Sequence, residues 1–559
     1  VIARVWAPHA SRVRVVADGV LRDLARRGDW WVDDRELAAG TRYGFVLDDD
    51  DQPLPDPRSR FQPDGVHGLS EVVALPEPQP WHGRELAGGV IYELHVGTFT
   101  AGGTLDAAIE RLDQLADLGV DFVEPLPVNG FNGAYNWGYD GVAWFAVDDS
   151  YGGPAAYLRF VDACHARGIG VLQDVVYNHL GPSGNYLPRF GPYLDDGSSN
   201  TWGATVNLAE PEVRRFILDN ARMWPAEFGV DGLRLDAVHA LSDLSILAEL
   251  SEQTERLERE LGRPLTLIAE SDLNDPRMIV SRAEDGFGMT AQWADDYHHA
   301  VHVALTGETG GYYADFAGLG VLAKAATGGF VHDGTFSSFR GRPHGAPIPP
   351  EVPTTRLVTF VQDHDQVGNR ATGDRLSQTL DADRLAIAAV LNLCSPFTPM
   401  IFMGEEWAAS TPWQFFTAHP EPELATATAQ GRIAEFSRHG WDPAVVPDPQ
   451  DRATFERSHL DWAERDREPH RSIRSLYGDL IALRHREPEF AEPRFASLSA
   501  VADDDAGTLR LCHGDLHVLV NLGDEAWDAG PGELLLATSP RVRGTVLAPV
   551  TAAVVRVGG

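Results

Sequence analysis

The stretch VIYELHVGTFTAGGTLDAAIERLDQLADLGVDFVEPLP, residues 90–127, decides the fold. VIYELHV, Val90 to Val96, is an apolar run of strand length, which predicts a buried strand. Thr104 is placed to cap a helix that carries Leu105, Ile109, Leu112 and Leu115 on one face and closes at Gly119. A second apolar strand, VDFVEPLP, starts at Val120. Strand, polar loop, amphipathic helix and strand together make the repeating unit of a parallel sheet.

The series continues along the chain. GIGVLQDVVY from Gly168, DGLRLD from Asp231, LTLIAE from Leu265, AQW at Ala291, RLVTF from Arg356 and FTPMIFM from Phe397 bring the total to eight strands. Eight such units predict a closed (β/α)8 TIM barrel. An open doubly wound sheet is the structural rival, but no G-x-G-x-x-G follows the first strand.

On either side the pattern changes. VWAPHASRVRVVADG alternates around Val13 and Val15, and WWV at Trp30 and YGFVL at Tyr43 follow with turns between, which predicts an N-terminal β-sandwich of immunoglobulin-like, early-set type. PEPQP, Pro76 to Pro80, is a stiff linker that no helix or central strand accommodates. Near the end, LRLCHGDLHVLVNL reads as a hairpin around His513-Gly514-Asp515, and VTAAVVRV as a further strand, which predicts a C-terminal β-sandwich. The expected division is therefore a sandwich over 1–80, a barrel with inserted loops over 81–493 and a second sandwich over 494–559. Pro225, in MWPAEFG, stands where a helix is expected and should kink it.

Composition narrows the function. Hydrophobic residues make up 43% and charged residues 23% of the 559, a globular balance. A net charge of −36 argues against nucleic acid or an anionic membrane surface as a partner, since both bind clustered Lys and Arg. The most apolar run, Leu385 to Met403, is interrupted by Asn392, Ser395 and Pro396, too broken to span a bilayer. Cys164, Cys394 and Cys512 show neither zinc-ligand spacing nor the density of a disulfide scaffold, which suits the reducing cytoplasm. No spacing calls for a metal or other cofactor.

In a barrel the reactive groups lie at the C-terminal ends of the strands. GLRLDAVHA places Arg234 and Asp236 two apart on one face, with Leu233 and Leu235 turned toward the helices. An isolated pair of this kind is more often a structural ion pair. Glu270 is the first charged group after LTLIA, and alone could be a helix cap. FVQDHDQVGN puts His364 and Asp365 at another strand mouth, and DVVYNH does the same for Asp174 and His179. What raises the odds is that all of these fall on one face of one barrel. Two carboxyls in a cleft, one ionised beside Arg and one kept protonated, are what glycosidic bond cleavage requires. Tyr135, Trp137, Tyr139, Trp202, Trp293, Tyr297, Trp407 and Trp413 crowd the same loops, either as packing residues or as faces for sugar rings.

DVVYNH, GLRLDAVHA, AES and FVQDHD resemble, in order and spacing, the four signature regions of the α-amylase superfamily. VWAPHA, NWGYDGV, YGGP, NHLGPSGNYL, IAESDLNDPR, AQWADDYHHA, TGETGGYYADF, QDHDQVGNRATGDRL and MGEEWAASTP further resemble the malto-oligosyltrehalose trehalohydrolases, most densely from Ile91 to Phe416. The resemblance implies a retaining glycoside hydrolase with Asp236 as nucleophile, Glu270 as general acid and then base, and Asp365 as transition-state stabiliser. It implies that Arg234 orients Asp236, that His179 and His364 bind hydroxyls of the attacked glucose, and that Tyr139 stacks on its ring. His239, Asp295, Asp296, His298 and His299 match positions lining the leaving-group side, and Gln366 and Asn369 belong to the same substrate-binding set. It also implies a malto-oligosyltrehalose substrate, and a maltooligosyltrehalose synthase as the pathway partner that makes it. A retaining pair should stand ~5–5.5 Å apart. Asp363 departs from the pattern, where Asn is expected, and the extra carboxyl should raise the pKa of His364.

The nearest rivals are a branching enzyme, against which Gln366 after His-Asp argues because Glu is usual there, and a debranching hydrolase. From another class, a silent glucan-binding protein would have no need of the intact Asp236, Glu270 and Asp365 set. A zinc barrel hydrolase lacks its His-x-His, since the first strand holds only His95.

Overall fold

The computed structural model describes residues 1–200, 203–438, 445–491 and 493–558. Eight parallel strands close into a barrel: β1 (Ile91–Leu94), β2 (Phe122–Pro125), β3 (Gly170–Val175), β4 (Gly232–Leu235), β5 (Thr266–Ala269), β6 (Ala291–Trp293), β7 (Leu357–Thr359) and β8 (Thr398–Phe402). They are the eight strands expected from the sequence. Neighbours in the chain are neighbours in the ring, and β8 closes on β1 with Phe402 beside Glu93.

The strands are buried on both faces, which is why they read as apolar runs and not as alternations. Ile91, Phe122, Leu172, Ile268, Val358 and Met400 fill the barrel interior. Leu233, Leu235 and Leu267 instead join the larger core between barrel and helices. Arg234, between the two leucines of β4, is thereby turned inward at the level of Asp174 on β3.

One local expectation needs revision. The helix after Thr104 is not continuous: Thr104 caps Leu105–Ile109 through the Ala107 amide, the chain breaks at Glu110-Arg111, and a second helix runs from Leu112 to Leu118. The break changes the register of the apolar face, leaving Ile109 half-buried while Leu105, Leu112 and Leu115 are fully covered. Gly119 ends the second helix at φ 95°, a left-handed conformation that glycine adopts without strain. Pro225 sits in a π-helical turn, Trp224–Phe228, that extends the helix Pro211–Met223.

At the N-terminus, Ile2–Trp6, Trp30–Glu36 and Ala25–Arg27 form one antiparallel sheet. Val20–Asp23, Val13–Ala17, Arg42–Leu47 and Ser70–Glu71 form the other. The C-terminal region is a five-stranded antiparallel sheet in which Thr508–His513 and Leu516–Asn521 make the expected hairpin, with a small two-stranded sheet beside it. No helix among the described residues is long and apolar enough to cross a membrane.

Candidate active site

Arg234 organises the mouth of the barrel. Its side chain has no exposed surface, and its Nη1 donates to both oxygens of Asp174 (3.1 and 2.9 Å) and to Asp236 Oδ1 (3.1 Å). Nη2 lies 2.8 Å from Glu270 Oε2. The flat face of the guanidinium rests on Trp293, 4.1 Å from the ring centroid. A buried cation of this shape must have its charge answered nearby, and Asp174 on β3 and Asp236 just after β4 lie against it. Asn178 then fixes the nucleophile candidate from the other side, its Nδ2 donating to Asp236 Oδ2 at 2.8 Å.

After Asp236 the chain turns through Ala237 at φ 39°, ψ 53°. This is strained for a residue with a Cβ, and strain of this sort gathers at working sites. The turn aims the Ala237 N–H at Glu270, which accepts it on Oε2 at 2.8 Å. Burial pushes Glu270 up to about 8, the charges of Asp236 and Asp365 adding to the effect and Arg234 opposing it. Both carboxyls touch the guanidinium, and Glu270 is the one that burial drives to hold its proton at neutral pH.

Asp365 stands on the short helix His364–Gly368 after β7, accepting from Asn369 Nδ2 at 2.6 Å, and its charge reaches Glu270 and Asp295. Asp363 caps that helix through the Gln366 amide (2.6 Å) and is itself driven well above the carboxylate range by burial. Asp363 adds to the raising of His364, as expected, but is not the main influence. Burial works against a charged ring, but Glu93 on β1, in direct contact with it, outweighs that and raises His364 to about 10.

The remaining expected residues divide. Tyr139 lies at the site, its ring stacked on His364 (5.1 Å, 16°) and its hydroxyl donating to Asp174 Oδ2 at 2.6 Å. Asp295 is pushed up to about 7, first by burial and then by Asp296, Asp272 and Asp365. His239 Nδ1 is 3.6 Å from Asp272 Oδ1. His179 meets Tyr139 O (2.9 Å) and Asn178 Oδ1 (2.6 Å), so it also anchors the loop that presents Tyr139. Asp296 is a buried anchor: its Oδ2 accepts from Asn274 and from the amides of Val331 and His332. His298 and Gln366 line a cavity of about 220 Å³ with Tyr313 and Arg370, next to the cleft. His299 packs among Tyr312, Tyr313 and Phe316. Asn369 is exposed at the rim.

The aromatic residues are mostly packing. Trp137, Trp293, Tyr297, Trp407 and Trp413 are all buried, and Tyr135 stacks on Phe455. Trp202 lies outside the described residues. Three participants had no distinguishing sequence signal: Glu93 reads as one polar position in a strand, Asp272 as one of several loop acids, and Arg340, whose Nη2 is 2.9 Å from Asp272 Oδ2, comes from a distant loop.

Comparison with known proteins fits this geometry. Residues 59–191 match the model of the alpha amylase catalytic domain. A malto-oligosyltrehalose trehalohydrolase from Rhizobium sp. is 56% identical, over 99% of this chain and 97% of its own length. One from Arthrobacter ramosus is 58% identical, over 93% and 92%. The crystal structure of a protein assigned as an alpha amylase from Salmonella typhimurium superposes with a TM-score of 0.92 at 35% identity, covering 99% of this chain and 97% of that one.

Proposed function

This chain belongs to the malto-oligosyltrehalose trehalohydrolases of the α-amylase superfamily, and from that premise we propose that it hydrolyses the α-1,4 bond joining a malto-oligosaccharide to a terminal α,α-1,1-linked trehalose. The observation that carries the site assignment is the single guanidinium of Arg234 in contact with both Asp236 and Glu270, while burial keeps Glu270 protonated.

In the first step Glu270 gives its proton to the glycosidic oxygen as the bond to C1 breaks, and trehalose leaves. Asp236 attacks C1 from the opposite face and forms a glycosyl-enzyme of inverted configuration. Asp365 opposes the positive charge that develops on the ring. Glu270, now a carboxylate, takes a proton from water, which attacks C1 and releases the shortened oligosaccharide with its α-configuration restored. Asn178 and Arg234 hold Asp236 in place throughout, which supports a nucleophile and not a mobile base.

In the same reading, residues 1–80, 81–493 and 494–559 are three domains, which the separate sheet systems support. A maltooligosyltrehalose synthase supplies the substrate, and the protein works in the cytoplasm, where three cysteines outside any disulfide are at home.

The test is product analysis after separate incubation with maltotriosyltrehalose and with maltopentaose. Rapid release of trehalose from the first, with little action on the second, is expected. New α-1,6 branches would overturn the reading in favour of transfer, and inertness toward both would leave only binding.

A further inference from the structure

Glu93 lies near the C-terminal end of β1, with no exposed surface, beside Glu124 on β2 and Phe402 on β8. Both of its oxygens serve one residue. Oε2 accepts the backbone N–H of His364 at 2.8 Å, and Oε1 meets the ring Nδ1 at 2.6 Å. A carboxylate accepts and does not donate, so Nδ1 carries a hydrogen. The ring is enclosed by Tyr139 stacked on one face, by Trp137 edge-on and by Trp293 at 6.0 Å. Nε2, across the ring, has no protein hydrogen-bond partner among the described residues.

We propose that Glu93 is a positioning residue: it clamps His364 by backbone and Nδ1 and holds the ring as an imidazolium, so that Nε2 presents an N–H to the attacked glucose. This rests on the trehalohydrolase reading above and extends it to a residue outside the reacting set. The other groups facing the ring do not replace Glu93. Glu124 on β2 and Asp363 are driven by burial toward their neutral forms, Asp174 on β3 is engaged by Arg234, and Asp365 is turned to Asn369. His95, the neighbouring imidazole, is held neutral by burial. Without the clamp a buried imidazole would lose its charge, and either nitrogen could then carry the remaining proton.

The first experiment uses the full chain with ¹⁵N-labelled histidine, the His364 signals being assigned by their loss in His364→Gln. Both ring nitrogens should keep imidazolium shifts at pH 8.5; a neutral ring there overturns the proposal, whatever the substrate proves to be. Glu93→Gln keeps the shape but offers an amide. It should lower kcat by about 10- to 100-fold, by analogy with the partners that orient metal-binding histidines, with KM nearly unchanged. The His364 transition should fall below pH 7, and the rate of the variant should rise as pH drops through it. In a His364→Ala background the same substitution should change kcat less than about twofold. An equal loss in both backgrounds would mean a purely structural role. If Glu93→Gln does not fold, the wild-type spectrum decides alone, and a wild type that releases no trehalose refutes the substrate assignment without touching the ring measurement.

Discussion

Arg234 and Asp174 are joined through one nitrogen, Nη1, which donates to both carboxylate oxygens at 3.1 and 2.9 Å, and this leaves Nη2 for Glu270. The two ends of the guanidinium thus serve different carboxyls, a division that an ammonium group cannot reproduce. Arg234→Lys is therefore expected to lower kcat by at least about 100-fold, or about 2.7 kcal/mol of transition-state stabilisation. KM should change much less. Initial rates of trehalose release check it, and a variant within a few fold of wild type would show that the fork is dispensable.

Asp236→Asn removes the proposed nucleophile and retains its volume. The expected loss is about four orders of magnitude in kcat, since a neutral amide cannot form the glycosyl-enzyme. Thermal unfolding beside wild type distinguishes this from damage to the fold, because Arg234 also loses one of its three carboxyl contacts.

The pH dependence follows from Glu270. In the proposed mechanism its acid form acts in the first step, and burial raises it to about 8, so kcat/KM should fall about tenfold per unit above that value. A profile for maltotriosyltrehalose from pH 5 to 10 tests this. An aryl maltoside, whose leaving group needs no proton, should show a much weaker alkaline fall.

A second pH effect lies away from the cleft. Glu405, in the turn after β8, is buried, accepts from the Tyr477 hydroxyl at 3.0 Å and is raised by burial to about 8. An acid whose folded pKa exceeds its unfolded value stabilises the fold fully below the unfolded value, and that contribution is lost as pH rises toward the folded one. Wild-type Tm should therefore decline between pH 5 and pH 8.5 by more than that of Glu405→Gln, which has no such proton to lose. Calorimetry at the two pH values decides.

The barrel was legible because parallel strands buried on both faces must be apolar throughout, and the helices and loops between them punctuate the runs. Asp236, Glu270 and Asp365 could be picked out as candidates because a barrel puts function at its strand ends. The fate of the others depended on closure. Asp296 and Asp295 are adjacent in sequence, yet three backbone and amide donors capture one while burial raises the other. Trp293 could be read from sequence as packing or as a sugar platform, and it is the floor under Arg234. Glu93 lies 271 positions from His364, and only the return of β8 to β1 brings the first strand beside the segment after β7.

The left-handed turn at Ala237 has a consequence for how this chemistry can change. The hydrogen-bond donor it offers Glu270 is a main-chain amide, present whatever side chain occupies the position. Substitution can remove the proposed proton donor itself or displace its arginine, but cannot delete this support without a proline or a rerouted loop. Variation at the position is instead restricted by conformation: glycine would relieve the backbone, and β-branched residues would fight it. The acid is thus tuned in part by a feature of the polypeptide path that drift among ordinary side chains leaves intact, and an engineer who wants a different pH optimum has more to gain from the walls of the cleft than from that bend.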